Sequence, residues 1–171
     1  DFDCIITVSD HGELLGEGNA WAHEHGVHPA LTHVPLCVTN GDLEGESDSV
    51  TSLLDVHRTI GEMAGIDVES RGKDLLSDTD GGPYLSEYHG LTPWSESRVR
   101  DAFHRDVFEA YDTALSGYAD SSSYAYETTD GIRFEDNVNE ADEDDIRHRI
   151  NELQDDLSVR STEARADIPD D

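Results

Sequence analysis

The chain has 171 residues, 40 of them acidic against 11 basic, giving a formal net charge of −29 and a pI near 4.2. That balance excludes a basic face for nucleic acid and repels an anionic membrane surface. No run approaches the roughly 20 apolar residues of a membrane-spanning helix, and the length suits one domain.

Residues 3–9 predict a strand, because Cys4-Ile5-Ile6-Thr7-Val8 is β-branched and almost continuously apolar. Such a run suits a parallel sheet covered on both faces. It begins so near residue 1, which is Asp rather than Met, that the chain reads as the C-terminal part of something longer. Segment 9–30, rich in Gly, His and Glu, reads mostly as loop. Val34-Pro35-Leu36-Cys37-Val38 is a second short strand, followed by an Asn40-Gly41 turn and an acidic surface loop over 42–48. Residues 50–54 predict a third strand, and 59–64 a short helix closed by Gly65. Gly81-Gly82-Pro83 breaks the chain before another strand over 84–88.

Val99, Phe103, Val107 and Tyr111 recur every four residues, as on an amphipathic helix. Asp130-Gly131 between two β-prone runs, 124–128 and 132–135, predicts a hairpin. Segment 135–145 is strongly acidic; Ile146, Ile150, Leu153 and Leu157 then line one face of a final helix. From residue 158 onward there is little to bury, and a disordered acidic tail is expected over 158–171. This order predicts an α/β portion over 1–90 and a small α+β subdomain with hairpin and final helix over 91–157.

Only one basic residue is lysine, Lys73, and Asp outnumbers Glu by 24 to 16. The acids are spread along the whole chain. Their self-repulsion destabilises a compact state at low salt and is screened at molar salt. We read the composition as adaptation to a saline cytoplasm or brine; the alternative is an ordinary acidic protein. Cys4 and Cys37, each inside an apolar run, read as buried free thiols and do not make a disulfide framework.

The segment that carries chemistry is Val8-Ser9-Asp10-His11-Gly12-Glu13. Ligands of open α/β sheets bind at the carboxyl ends of strands. A carboxylate and an imidazole placed there, Asp10 and His11, suit a divalent metal. Gly12 allows a sharp turn after them. His23, His25, His28 and His33 follow within eleven residues. One of them facing the site would bind an oxyanion or protonate a leaving group; a plain polar loop is the alternative. No paired cysteines accompany them, which argues against a zinc finger.

Taken together, these segments resemble the C-terminal part of a type I sulfatase of the alkaline phosphatase superfamily, with a haloarchaeal acidity. The resemblance is carried by Val8-Ser9-Asp10-His11-Gly12, Leu15-Gly16-Glu17 and Trp21-Ala22-His23, then Leu31-Thr32-His33-Val34-Pro35-Leu36 and Ser52-Leu53-Leu54-Asp55. Thr59-Ile60, Ala64-Gly65, Gly72-Lys73-Asp74-Leu75-Leu76 and Ser86-Glu87-Tyr88 continue it, so it covers roughly 3–90. It implies an alkaline-phosphatase-like, largely parallel mixed sheet begun by an upstream half. It implies Asp10 and His11 as two metal ligands, and His23 as the catalytic group that contacts the sulfate and its bridging oxygen. Calcium is the first expectation for the metal, with manganese or zinc as alternatives favoured by the His ligand. A formylglycine nucleophile is expected upstream, since neither Cys4 nor Cys37 has the required context. Two departures are Arg58 where the family has Pro and Ala22 where it has Gly.

The function so expected is a metal-dependent sulfuric ester hydrolase acting on a small-molecule or carbohydrate sulfate ester, incomplete as this chain. A phosphonate monoester or phosphodiester hydrolase of the same superfamily is the first alternative, and a non-catalytic acidic cation-binding domain the second. No nucleic acid partner and no membrane span are expected, and the oligomeric state is open.

Overall fold

The structure is a computed structural model that describes residues 4–23, 25–39, 47–77, 81–102, 105–121, 123–135 and 142–166. Its strands are β1 (Ile5–Val8), β2 (Leu14–Leu15), β3 (Trp21–Ala22), β4 (Leu36–Thr39), β5 (Tyr84–Tyr88), β6 (Leu115–Asp120), β7 (Ser123–Thr128) and β8 (Gly131–Phe134). Its helices are α1 (Pro29–Thr32), α2 (Leu53–Ala64), α3 (Pro93–Ala102), α4 (Arg105–Tyr111) and α5 (Glu143–Ala166).

The best-buried core lies in the C-terminal half. Strands β5-β6-β7-β8 form an antiparallel meander, with Leu85 opposite Tyr118, Tyr118 opposite Ala125 and Ala125 opposite Phe134. Helix α5 lays Ile146 and Ile150 onto this sheet against Tyr118, Ala125 and Ile132, with Leu153 beside them, as the 3.6-residue periodicity predicts. Polar ties register the helix: Arg149 donates to Asp120 at 3.2 Å, and Gln154 donates to Glu87 at 3.0 Å and Ser116 at 3.1 Å. The expected hairpin is present, although its two loop residues are Thr129 and Asp130, with Gly131 at φ 135° opening β8. Helix α5 runs past Ser158 to Ala166, into the segment expected to be disordered; 167–171 lie outside the described residues.

Several expectations need correction. No strand forms over 50–54; residues 50–52 lead into α2, and Leu53 and Leu54 are its first residues. Ser52 accepts from Leu54 N–H while Asp55 accepts from Ser52 N–H, a reciprocal capping box that starts a helix there. Gly65 closes α2 in the left-handed conformation, φ 65°, as the sequence predicts. Asp55, 1% exposed, also accepts from Lys73 N–H and Tyr84 Oη, both at 2.7 Å, so one carboxylate joins α2, the following turn and β5. The apolar recurrence over 99–111 falls on two helices, α3 and α4, and residue 103 lies outside the described residues. β6 has no counterpart in the sequence reading. Because β5 pairs with β6 from Tyr84 opposite Ala119 to Tyr88 opposite Leu115, the meander crosses the boundary expected at residue 90.

The largely parallel sheet does not form among the described residues, where every strand pairing is antiparallel. β1 pairs with β4, Ile5 opposite Thr39 and Val8 opposite Leu36, and this two-stranded ladder leaves Ile5 and Val8 exposed rather than covered on both faces. Cys37 is exposed and Cys4 half-buried, so the buried-thiol expectation does not hold for Cys37; both are free. No helix among the described residues is long and apolar enough to cross a membrane.

Candidate functional site

The site grows from the loop that leaves β1. Asp10 Oδ1 accepts from His11 N–H at 3.0 Å, and Ser9 Oγ donates to the His11 carbonyl at 2.7 Å, so the turn is held by its own short polar side chains. Gly12 N–H donates to Leu31 O at 2.8 Å, docking the turn on α1. A side chain at Gly12 would place Cβ 2.0 Å from the Ala30 carbonyl oxygen, which explains glycine there.

His11 Nδ1 lies 2.9 Å from the Gly12 carbonyl oxygen. A carbonyl only accepts, so Nδ1 carries the hydrogen, and Nε2 of the neutral ring keeps its lone pair. Asp10 Oδ2 is 3.7 Å from that Nε2. Asp10 and His11 thus stand in the turn that follows β1, on an open surface where the Asp10 side chain is 84% exposed.

The next part was not legible as a site. Segment 14–22, expected to be loop, is a small hairpin, β2 and β3, with Leu14 opposite Ala22 and Leu15 opposite Trp21. Its link is a tight turn in which Glu17 accepts from Leu15 N–H at 2.6 Å; hydrogen bonds from its own and the Leu15 backbone hold the Glu17 carboxyl below its ordinary range. Extending that register by one pair sets Glu13 opposite His23, and the Glu13 carboxylate indeed meets His23 Nδ1 at 2.7 Å. The signal in the sequence was the turn composition Gly16-Glu17-Gly18-Asn19 between Leu14-Leu15 and Trp21-Ala22. Ala22 adopts φ 69°, a backbone shape that glycine adopts at lower cost.

His23 also stacks on His11, with ring centroids 4.4 Å apart and planes inclined by 29°. Donor atoms of His11, Glu13 and His23 lie within 4.8 Å of one another. Both histidines and Glu13 are about half exposed. The other histidines of the loop do different work. His28 caps α1, its Nδ1 accepting from Ala30 N–H at 3.0 Å. His25 is inserted between Tyr88 and Tyr111, with centroids 5.3 and 4.5 Å away. Burial pushes the pKa of His25 down and favours the neutral ring. His33 is exposed. Of the four, only His23 joins the cluster.

The loop is anchored from far away in sequence. Tyr124 of β7 donates to Val27 O at 2.7 Å, and its oxygen lies 2.7 Å from Thr32 Oγ1. A separate cleft of about 410 Å³ beside α2 brings Arg58 and Lys73 together, but Arg58 pairs with Glu62 and Lys73 reaches the Gly82 carbonyl. None of the expected site residues lines it.

No family model matches the chain, and no solved structure matches it. It is similar to a low-salt glycan biosynthesis sulfotransferase, Agl7, of Haloferax volcanii, with 30% identity over 174 aligned positions. The match covers 77% of this chain and 40% of that relative. The chain therefore has a haloarchaeal, sulfate-related relative, in keeping with its acidity. The hydrolase expectation is overturned at this point. The relative's name describes transfer of a sulfate group and not hydrolysis of a sulfate ester, so neither the sulfatase nor its hydrolytic alternatives stand.

Proposed function

We propose that this chain is part of a sulfuryl-transferring protein of a halophile, one that places sulfate on a glycan, and that the Asp10–His23 cluster handles the sulfuryl group. The similarity to a haloarchaeal sulfotransferase over 77% of the chain carries this reading. In the whole protein, the β1–β4 ladder, with Ile5 and Val8 exposed, would join a wider alkaline-phosphatase-like sheet.

In the transfer, an acceptor hydroxyl oxygen bonds to sulfur, the bond from sulfur to the donor oxygen breaks, and the hydroxyl proton leaves. His23 is the group we assign to that proton. With Nδ1–H held by Glu13, its Nε2 is the nitrogen left to take the acceptor hydroxyl's proton and to pass it to the donor oxygen that leaves sulfur. The donors of Asp10 and His11 fit a divalent cation, because His11 Nε2 is the unprotonated nitrogen and a carboxylate oxygen stands beside it. Such an ion would neutralise charge on the sulfuryl oxygens. His11 and Asp10 then orient the group, and Gly12 keeps both close to α1.

The test uses the protein purified in molar KCl with divalent metal, a radiolabelled aryl sulfate as donor and a glycan as acceptor. Label should appear in the glycan and fall at least a hundredfold with His23→Ala. Label released only as free sulfate, or no movement of label, would overturn the transfer reading.

A further inference from the structure

We infer that Glu13 is a ligand, together with His11, of a cation of the zinc or manganese class. The inference rests on the cation assigned above and on no step of sulfuryl transfer.

Three observations lead to it. First, His11 is prepared as a ligand, because the Gly12 carbonyl holds Nδ1–H at 2.9 Å and fixes the tautomer that offers Nε2. Metal-bound histidines are oriented in this way by an acceptor on the other nitrogen. Secondly, the Glu13 carboxylate is held rather than loose. One oxygen, Oε2, accepts from His23 Nδ1 at 2.7 Å, which leaves Oε1 for an ion. His23 in turn is fixed by its stack on His11, 4.4 Å between centroids. Thirdly, the separations are those an ion closes. Donor atoms of His11, Glu13 and His23 all lie within 4.8 Å of one another. Two ligand bonds of about 2.1 Å span up to roughly 4.2 Å, so small side-chain rotations suffice.

The donor set decides the class of ion. An imidazole beside a carboxylate suits zinc or manganese, whereas calcium takes six to eight oxygens and gains nothing from a ring nitrogen. Glu13 also explains how the hairpin serves the site: the β2–β3 register sets its carboxylate next to the β1 turn. His23 thus positions Glu13 through Nδ1 and keeps Nε2 for the sulfuryl group.

The experiment is calorimetric titration of the whole protein, in molar KCl, with zinc, manganese and calcium chlorides. Zinc or manganese should bind at least tenfold more tightly than calcium. Glu13→Gln should lose at least tenfold in zinc affinity with an unchanged melting curve, His11→Ala more, and His23→Ala less than either. Paramagnetic broadening by manganese on the unaltered protein should strike the His11 ring and the Glu13 methylenes. Wild-type zinc affinity in Glu13→Gln, calcium binding as tight as zinc, or unbroadened Glu13 resonances would each overturn the inference. Intact zinc binding without transfer of label would sink the sulfuryl-transfer reading alone.

Discussion

Replacing Tyr124 by Phe removes one oxygen atom and separates the histidine loop from the meander. The Tyr124 hydroxyl has a single proton, which goes to Val27 O at 2.7 Å, since a carbonyl can only accept. Thr32 must therefore donate to Tyr124 Oη, also at 2.7 Å, and its 3.4 Å contact with His28 O is the weaker one. Two part-buried hydrogen bonds are lost, each contributing about 0.5–1.5 kcal/mol, so the expected destabilisation is about 2 kcal/mol. For a domain of this size that is a fall of roughly 6 °C in melting temperature. Burial pushes the Tyr124 pKa up to about 12. Its folded value is thus raised above the unfolded value near 10. The stabilisation is complete below about pH 10 and is lost as pH rises through about 12. Tyr84, also raised to about 12 by burial and by Asp55, adds to the same alkaline loss. Circular-dichroism melts in molar KCl across neutral to alkaline pH, with amide exchange of residues 27–32, measure both effects. A melting temperature within 1 °C of wild type, with unchanged exchange over the loop, would refute the anchoring role.

Four further outcomes follow from particular contacts. Ile146→Ala, at a side chain 1% exposed between α5 and the sheet, should cost about 2–5 kcal/mol in a denaturant titration; a loss under 1 kcal/mol would mean that α5 is not docked there. Gly12→Ala drives Cβ against the Ala30 carbonyl and should destabilise by about 1–3 kcal/mol while lowering zinc affinity at least tenfold; wild-type values in both assays would show that the turn is not held on α1. Ala22→Gly relieves a left-handed alanine at φ 69° and should stabilise by about 0.5–1 kcal/mol, after allowance for the freer unfolded glycine; a destabilised variant in the same titration would contradict this. Dialysis from molar to millimolar salt should lower the melting temperature sharply, because a net charge of −29 is then unscreened; a salt-independent melt would leave an ordinary acidic protein.

Local patterns were legible wherever one segment's own residues decide its shape. The face of Ile146, Ile150 and Leu153, the hairpin at Asp130-Gly131 and the Gly65 cap of α2 all follow from periodicity or glycine chemistry within a few residues. The strand expected over 50–54 failed for an equally local reason: Ser52 and Asp55, three apart, are a capping signal that outweighs the β-branched Val50. β6 was illegible because Leu115-Ser116-Gly117-Tyr118-Ala119-Asp120 mixes small, polar and apolar residues, and its strand character comes from pairing with β5 and β7 on either side.

The site divides in the same way. Asp10, His11 and Gly12 are neighbours in sequence, and the chemistry of an Asp-His pair on a glycine turn is visible in those three letters. Glu13 and His23 are ten residues apart and Tyr124 is 97 from Val27. Whether such groups meet depends on strand register and on how a loop docks against a distant sheet. A one-residue slip in β2–β3 would turn Glu13 away from His23, because alternate residues of a strand face opposite sides. Composition and periodicity carry no information on that slip, and so the carboxylate behind His23 emerged only from the folded chain.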